Sequence, residues 1–166
     1  MTHSEEIALQ AVLVIVIVTV LLTVFLVIVG YVVMAIALMS FFRKVGIEPW
    51  IAWVPIYATW KWLEVSGQSG AFALFTLIPY GSVVTSVFLY IGMYRTGIAF
   101  RRDTGFLVLG IFLPFVWAFI LGGRDAVYEP QRIAAAGYPP PLAGYGSVPM
   151  AARQQAYQPP QAPPTV

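Results

Sequence analysis

Residues 46–57, GIEPWIAWVPIY, place a proline inside an apolar run that also carries two tryptophans. The same arrangement recurs in GAFALFTLIPYG (70–81) and GFLVLGIFLPFV (105–116). In each copy a glycine precedes the proline by nine residues, and a large aliphatic residue stands directly before the proline. The repeat predicts three hydrophobic helices, each started by its glycine and bent two turns later, because proline removes a backbone donor. The glycines are Gly46, Gly70 and Gly105, and the prolines are Pro55, Pro79 and Pro114.

The composition of the whole chain indicates a membrane protein. Of its 166 residues, 60% are hydrophobic and only 10% are charged, whereas a typical soluble domain has about 25% charged residues. The nine basic and seven acidic residues are spread along the chain, so no dense basic face predicts nucleic-acid binding. There is no cysteine, which excludes disulfides, thiolate metal sites and thiol catalysis. We therefore expect a protein of the cell membrane that is in contact with the lipid bilayer.

Upstream of the repeats lies an unusually long apolar run. From Ile7 to Phe42 there are 36 residues without a charge or a proline, and as one helix they would extend ~54 Å. The hydrocarbon core of a bilayer is only about 30 Å thick. The run must therefore break near Gly30-Tyr31, or continue beyond the lipid under a protein cover. Residues 31–42 are apolar on all sides, which favours protein cover over a helix lying on the membrane surface.

Together these patterns predict an all-α integral membrane protein with four hydrophobic helices. The apolar segments are 7–42, 47–63, 70–94 and 105–121. The second segment is short and interrupted by its proline, so the alternative is three spans plus one helix in the membrane interface. We expect a chain with three regions: an extramembrane N-terminus (1–6), a membrane helical domain (7–123) and a C-terminal tail (124–166).

Charged and aromatic residues at the segment ends predict the orientation. Arg43 and Lys44 follow the first segment directly, and the excess of basic residues on the cytoplasmic side places them inside and the N-terminus outside. This holds for both the four-span and the three-span arrangement. Tryptophans near the ends of the second segment are predicted anchors at the membrane interface. They are Trp50, Trp53, Trp60 and Trp62.

The C-terminal tail has a different composition from the rest of the chain. Residues 124–166 are rich in Pro, Gln, Ala and Tyr and lack aliphatic periodicity, which predicts disorder. Runs such as Pro139-Pro140-Pro141 favour the extended polyproline II conformation. Such a tail is either a solubilising segment or a ligand for a partner domain with a groove.

No arrangement of residues predicts an enzyme, and we expect no catalytic residue, cofactor or metal. The single histidine, His3, lies at the N-terminus, and the segment interiors lack the carboxylates that transport usually requires. Lys61 and Glu64 are three residues apart on one helix face, so they are the candidates for an ion pair at membrane depth. The alternative for this pair is a clamp at the interface, with the long lysine side chain reaching water.

Residues 42–123 resemble a family of small prokaryotic polytopic membrane proteins whose domain has no known function. The shared pattern is K-x-G, a tryptophan and an aliphatic-Pro-x-Tyr step, followed by an Ile-Pro step and the block GFLVLGIFLPF. Two positions depart from it, because Ala58 stands where the family often has asparagine and Phe72 where it has tryptophan. The tail is similar to those of actinobacterial membrane proteins. The resemblance implies the helix layout and no particular activity. The residues that carry it are Lys44, Gly46, Trp50, Val54, Pro55, Tyr57, Ile78 and Pro79.

These observations favour a non-catalytic integral membrane subunit or scaffold. The overlong first helix needs a neighbour, so we expect association with another membrane protein or with a second copy, giving an oligomer. The alternative is a small permease or lipid-handling protein whose site lies where the prolines leave backbone carbonyls free. Carbonyls that are already hydrogen-bonded within a packed bundle would argue against this alternative.

Overall fold

The computed structural model describes residues 3–142, and within them the chain is all-helical, without strands. It divides into two units, residues 1–34 and residues 35–166; we call the described part of the second, residues 35–142, the helical body. The α-helices are α1 (His3–Val45), α2 (Pro55–Val65), α3 (Gly81–Ala99), α4 (Gly105–Phe112), α5 (Pro114–Gly122) and α6 (Gln131–Ala135). The described residues also form two 3₁₀ helices, η1 (Pro49–Trp53) and η2 (Gly70–Leu77).

The first apolar run forms one uninterrupted helix, α1, of 43 residues. There is no break at Gly30, so the continuous alternative is the one observed. The large aliphatic and aromatic side chains from Ile7 to Tyr31 are each at least 40% exposed. Among the described residues, α1 is the one helix that is long and apolar enough to cross a membrane.

The last turns of α1 belong to the helical body and are buried there. The ring of Phe41 lies 6.1 Å from that of Trp62, 5.5 Å from that of Trp117 and 6.2 Å from that of Phe100, measured between centroids. The sequence predicts that other protein surfaces cover the end of the first apolar run. The chain's own helical body provides that cover, so the last turns of α1 need no separate neighbour. The buried residues of α1 are Ala35, Ala37, Leu38, Phe41, Phe42 and Val45.

Each repeat proline lies at a break between two helices, so the prediction of three continuous, bent helices is wrong. The residues before the prolines are not helical: Val54 has φ −111° and ψ 97°, Ile78 has −98° and 139°, and Leu113 has −134° and 66°. The physical reason is that a proline ring clashes with the backbone of the preceding residue when that residue is helical. Each of the three repeat segments therefore forms two helices instead of one.

The prolines and glycines of the repeat occupy helix starts or turns. Pro55 and Pro114 are the first residues of α2 and α5, where the missing N–H is not needed. Gly70 and Gly105 are likewise the first residues of η2 and α4. The exception is Gly46, which starts no helix. It lies in the turn after α1 with φ 84°, a left-handed conformation that suits glycine.

The short helices fold back on one another. The rings of Phe72 in η2 and Phe88 in α3 stack with centroids 3.9 Å apart, although sixteen residues of straight helix would rise ~24 Å. Thr85 Oγ1 donates a hydrogen bond of 3.0 Å to the carbonyl of Phe72. The rings of Phe106 in α4 and Trp117 in α5 are 6.1 Å apart, against ~16 Å of rise along a straight helix. Pairs of short helices thus replace single long ones in the helical body.

The folded part of the chain extends beyond residue 123, so the predicted start of a disordered tail at residue 124 is wrong for residues 124–142. Ile133 in α6 is completely buried and Tyr128 is 7% exposed. The Arg101 guanidinium donates two hydrogen bonds to Glu129 and holds the pKa of that carboxyl below its usual value. A few apolar residues anchor this segment. The prediction missed them because it used the average composition of the whole tail. The rest of the predicted tail lies outside the described residues.

We expect Pro114→Ala to lower the free energy of unfolding by only about 0.5–1 kcal/mol, through the greater freedom of the unfolded chain. Trp117 still holds the bend, because its ring packs against α4 at Gly110. A proline inside a continuous helix would behave oppositely, since its replacement would stabilise by about 3 kcal/mol. Unfolding in mixed detergent micelles, followed by tryptophan fluorescence, distinguishes the two signs.

Candidate functional site: a buried ion pair at the end of α2

Lys61 and Glu64 form an ion pair inside the helical body. The ammonium nitrogen lies 3.0 Å from Glu64 Oε2, and the two residues are 2% and 6% exposed. Helix α2 produces this contact because residues three apart lie on the same face. Burying a charge is expensive unless it is paired and hydrogen-bonded. The free-energy cost of burying Lys61 and Glu64 must therefore be offset by the contacts that each charged group makes.

Both charged groups have additional partners. Trp60 Nε1 donates a hydrogen bond of 2.7 Å to Glu64 Oε1, so both carboxylate oxygens are engaged. The Lys61 ammonium lies 5.1 Å from the centre of the Tyr57 ring, a distance at which the face of the ring attracts a cation. The Lys61 side chain is only 3% exposed, so it does not extend to solvent as an interfacial clamp would.

A polar cluster continues from the pair towards α3. Gln68 Nε2 donates hydrogen bonds to Ser66 Oγ (2.8 Å) and to the carbonyl of Phe88 (2.9 Å). Arg95 Nη1 donates to the carbonyl of Ser66 at 3.4 Å. Sequence reasoning missed Gln68 and Arg95, although Gln68 lies between the second and third apolar segments and Arg95 directly follows the third. The end of α2 is thus tied to α3 through polar side chains.

Residues 138–142 cover the other side of the α2 terminus. The amide of Leu142 donates a hydrogen bond of 3.2 Å to the carbonyl of Glu64 in the last turn of α2, and the same carbonyl accepts the amide of Gly67 at 3.1 Å. The Arg95 guanidinium lies 5.0 Å from the centre of the Tyr138 ring. These residues, which belong to the predicted tail, therefore cover the end of α2.

The predicted interface anchors occupy different environments. Trp62 is 4% exposed and packs against Trp117 with ring centroids 5.4 Å apart, so it is a core residue. Trp50 and Trp53 are 55% and 42% exposed and remain available to an interface, whereas Trp60 is half-buried.

The predicted orientation signal lies at the end of α1. Arg43 and Lys44 line a shallow cavity of about 280 Å³ together with Ser40, Gly122 and Arg124. The Lys44 ammonium donates a hydrogen bond of 3.4 Å to the carbonyl of Arg124. Both basic residues thus lie beside the end of α5, where a third cation joins them.

The backbone near two of the repeat prolines is already hydrogen-bonded. Proline leaves the carbonyl four residues earlier without its helical donor. The carbonyl of Ile51 accepts the amide of Val54 at 3.0 Å, and that of Phe75 accepts the amide of Ile78 at 3.1 Å. These are the carbonyls four residues before Pro55 and Pro79. As for metal ligands, the described residues contain no group of three or more His, Cys, Asp or Glu side chains that could hold an ion.

Comparisons with known proteins support the presence of a domain without assigning an activity. No curated protein and no solved structure gave a significant match to the chain. Residues 50–130, which include the ion pair and the second and third repeats, match the model of a family described as a family of unknown function (DUF5684).

Proposed function

We propose that the chain is a non-catalytic integral membrane subunit that associates with another membrane protein or with a second copy. The observation that carries the proposal is the exposed apolar surface of α1 from Ile7 to Tyr31. Exposing apolar surface to water costs about 25 cal/mol per Å². A helix that presents such side chains on every face therefore requires lipid or protein around it.

The length of this exposed stretch favours protein in addition to lipid. The uncharged residues from Ile7 to Tyr31 number 25, which corresponds to ~38 Å of helix. A hydrocarbon core of about 30 Å covers that length only at the upper end of the usual tilt range. A neighbouring membrane protein would cover the remainder without such a tilt.

The helical body also exposes apolar side chains, which supports a multi-pass arrangement in the cell membrane. Arg43 and Lys44 in the last turn of α1 favour an outside N-terminus. Phe112 is 77% exposed, Leu77 67% and Val83 65%. Exposed apolar patches of this kind mark contact with lipid or with another protein. The paired helices bring these residues to the outside, while Gln68 and Arg95 tie the end of α2 to α3.

The permease alternative receives less support. It places a site at free carbonyls beside Pro55 and Pro79, but the carbonyls of Ile51 and Phe75 already accept backbone hydrogen bonds. The buried pair of Lys61 and Glu64 is likewise fully engaged with its neighbours. These contacts favour a structural role for the polar cluster.

Cross-linking tests the association directly. The chain has no native cysteine, so single cysteines can be placed in turn at the exposed positions 20–28 of α1. If α1 contacts a second copy, these cysteines should form disulfide-linked dimers. If it contacts another membrane protein, a photo-reactive group attached to them should cross-link to that one partner. The yield should rise and fall every three to four residues, because a helix presents one face to a neighbour. Uniformly absent cross-links in native membranes would mean that only lipid surrounds α1, and the proposal would be wrong.

The number of spans is tested by labelling cysteines at Ser69 and Thr104, both exposed, with a membrane-impermeant reagent. With four spans and an outside N-terminus, we expect Ser69→Cys to react in intact cells and Thr104→Cys to react only after permeabilisation. Three spans with an interfacial second segment give the reverse result. If α1 is the only span, neither position reacts in intact cells. Ser4→Cys, near the start of α1, serves as the outside control.

A further inference from the structure

We propose that the surface formed by Glu64, Gly67, Tyr94 and Arg95 is a binding groove for segments in which a tyrosine is followed by prolines. In the described structure this proline groove is occupied by the chain's own residues 138–142, Tyr-Pro-Pro-Pro-Leu, which we call the strap. The inference does not depend on the association of α1, because the groove and the strap both belong to the helical body.

The floor of the proline groove is shaped by the absence of a side chain. A Cβ atom at Gly67 would lie 2.2 Å from the carbonyl oxygen of Pro139 and 2.9 Å from that of Pro140. The backbone of Gly67 is also left-handed, with φ 73°. The strap therefore lies directly against the backbone of the turn after α2, at a distance that only glycine allows.

An aromatic anchor fixes one end of the strap. The Tyr138 ring lies 5.0 Å from the Arg95 guanidinium carbon and meets the Tyr94 ring edge-on, with centroids 6.2 Å apart and planes at 90°. Both geometries are attractive for an aromatic ring. The Arg95 Nε–H is buried and has no hydrogen-bond partner among the described residues. The groove thus keeps one donor for a carbonyl or carboxylate of another ligand.

A main-chain hydrogen bond fixes the other end, from the amide of Leu142 to the carbonyl of Glu64 at 3.2 Å. Between the two ends lie three prolines, which favour an extended conformation and lose little entropy on binding. An aromatic anchor, a backbone bond and a stiff proline-rich rod are features by which proteins recognise proline-rich peptides. The strap has the chemistry of such a ligand.

The strap is built to detach without unfolding its neighbours. It follows Gly137, which has φ 84° and open space around its Cβ position. The preceding helix, α6, is anchored independently by the fully buried Ile133. Pro139 and Pro140 are exposed, whereas Pro141 is buried. A segment of the same chemistry on another chain therefore competes with the strap for the groove.

The test uses the full-length protein with an opened groove, Tyr138→Ser/Pro139→Ser/Pro140→Ser, and a fluorescent peptide Gly-Tyr-Pro-Pro-Pro-Leu. We expect the peptide to bind this variant at least ten times more tightly than the unaltered protein, whose own strap acts as a ligand at high effective concentration. Replacing the peptide tyrosine with phenylalanine should preserve binding, because the ring makes the contacts. Replacing it with serine should weaken binding about tenfold.

A matched pair of substitutions locates the binding surface. Asparagine tolerates left-handed backbone better than other non-glycine residues, so Gly67→Asn and Gly137→Asn impose similar strain in the opened variant. Only the first introduces a Cβ against the docked peptide, so it should abolish binding while Gly137→Asn leaves it intact. No binding to the opened variant, or equal binding to the unaltered protein, would overturn the proposal. The proposal would also be overturned if replacing the peptide tyrosine with serine left the binding unchanged. That measurement does not require the Gly67→Asn variant to fold.

Discussion

Replacing Glu64 with alanine should lower the free energy of unfolding by about 3–5 kcal/mol, because it leaves the Lys61 ammonium buried without its counter-charge. Lys61 is 2% exposed, so water cannot replace the lost carboxylate without a rearrangement of α2. Trp60 Nε1 loses its acceptor in the same variant. Unfolding in mixed detergent micelles, followed by tryptophan fluorescence, measures the loss.

The double variant Lys61→Met/Glu64→Leu should recover about half of that loss. It leaves no charge in the site and fills a similar volume with apolar atoms, a replacement that is often neutral for buried pairs. The remaining cost comes from the Trp60 N–H without its acceptor, about 1–3 kcal/mol.

Glu129 provides a matched carboxylate outside the core, because its partner Arg101 is 63% exposed. Glu129→Ala should cost only a small fraction of the loss seen for Glu64→Ala, since solvent screens that pair. If the double variant were as unstable as Glu64→Ala, the buried charge would not be the cause of the loss. Equal effects of Glu64→Ala and Glu129→Ala would contradict the argument in the same way.

Local sequence patterns predicted the helical class and the approximate segment boundaries, but not the breaks at the prolines. The expectation of a bend rested on the hydrogen bond that proline removes. The stronger effect is the clash with the preceding residue, which makes Val54 and Ile78 extended. Leu113, the residue before the third proline, is also non-helical. The aliphatic-Pro step that the three repeats share therefore indicates the end of one helix and not a bend within it.

The ion pair could be predicted from the sequence because both of its residues lie on one short helix. The residues that surround the pair could not be predicted in this way. Arg95 reaches the end of α2 from α3, and the strap reaches it from residue 138 onward. Contacts between residues so far apart in sequence leave no periodic pattern. The prediction that Trp62 is an interface anchor is wrong for a related reason. Only the packing of α1 and α5 against α2 shows that this residue is buried.

The largest steric effect is expected at Gly81, the first residue of α3. A Cβ atom there would lie 1.9 Å from the carbonyl oxygen of Phe75 in η2. That oxygen belongs to the backbone, so it cannot move aside as the end of a flexible side chain would. Gly81→Ala should therefore force η2 away from α3 and lower the free energy of unfolding by about 3 kcal/mol.

Gly97 provides the control within the same helix, because the nearest atom to its Cβ position is Arg102 Cβ at 4.0 Å. Gly97→Ala should raise the free energy of unfolding by about 0.5–1 kcal/mol, since alanine loses less entropy than glycine in a helix. The two substitutions in α3 are chemically identical, and the close approach of η2 to Gly81 is the difference that predicts opposite signs. A stabilising Gly81→Ala would mean that η2 does not fold back on α3, and the separation of Phe72 and Phe88, measured by spin labels, would then exceed the stacking distance.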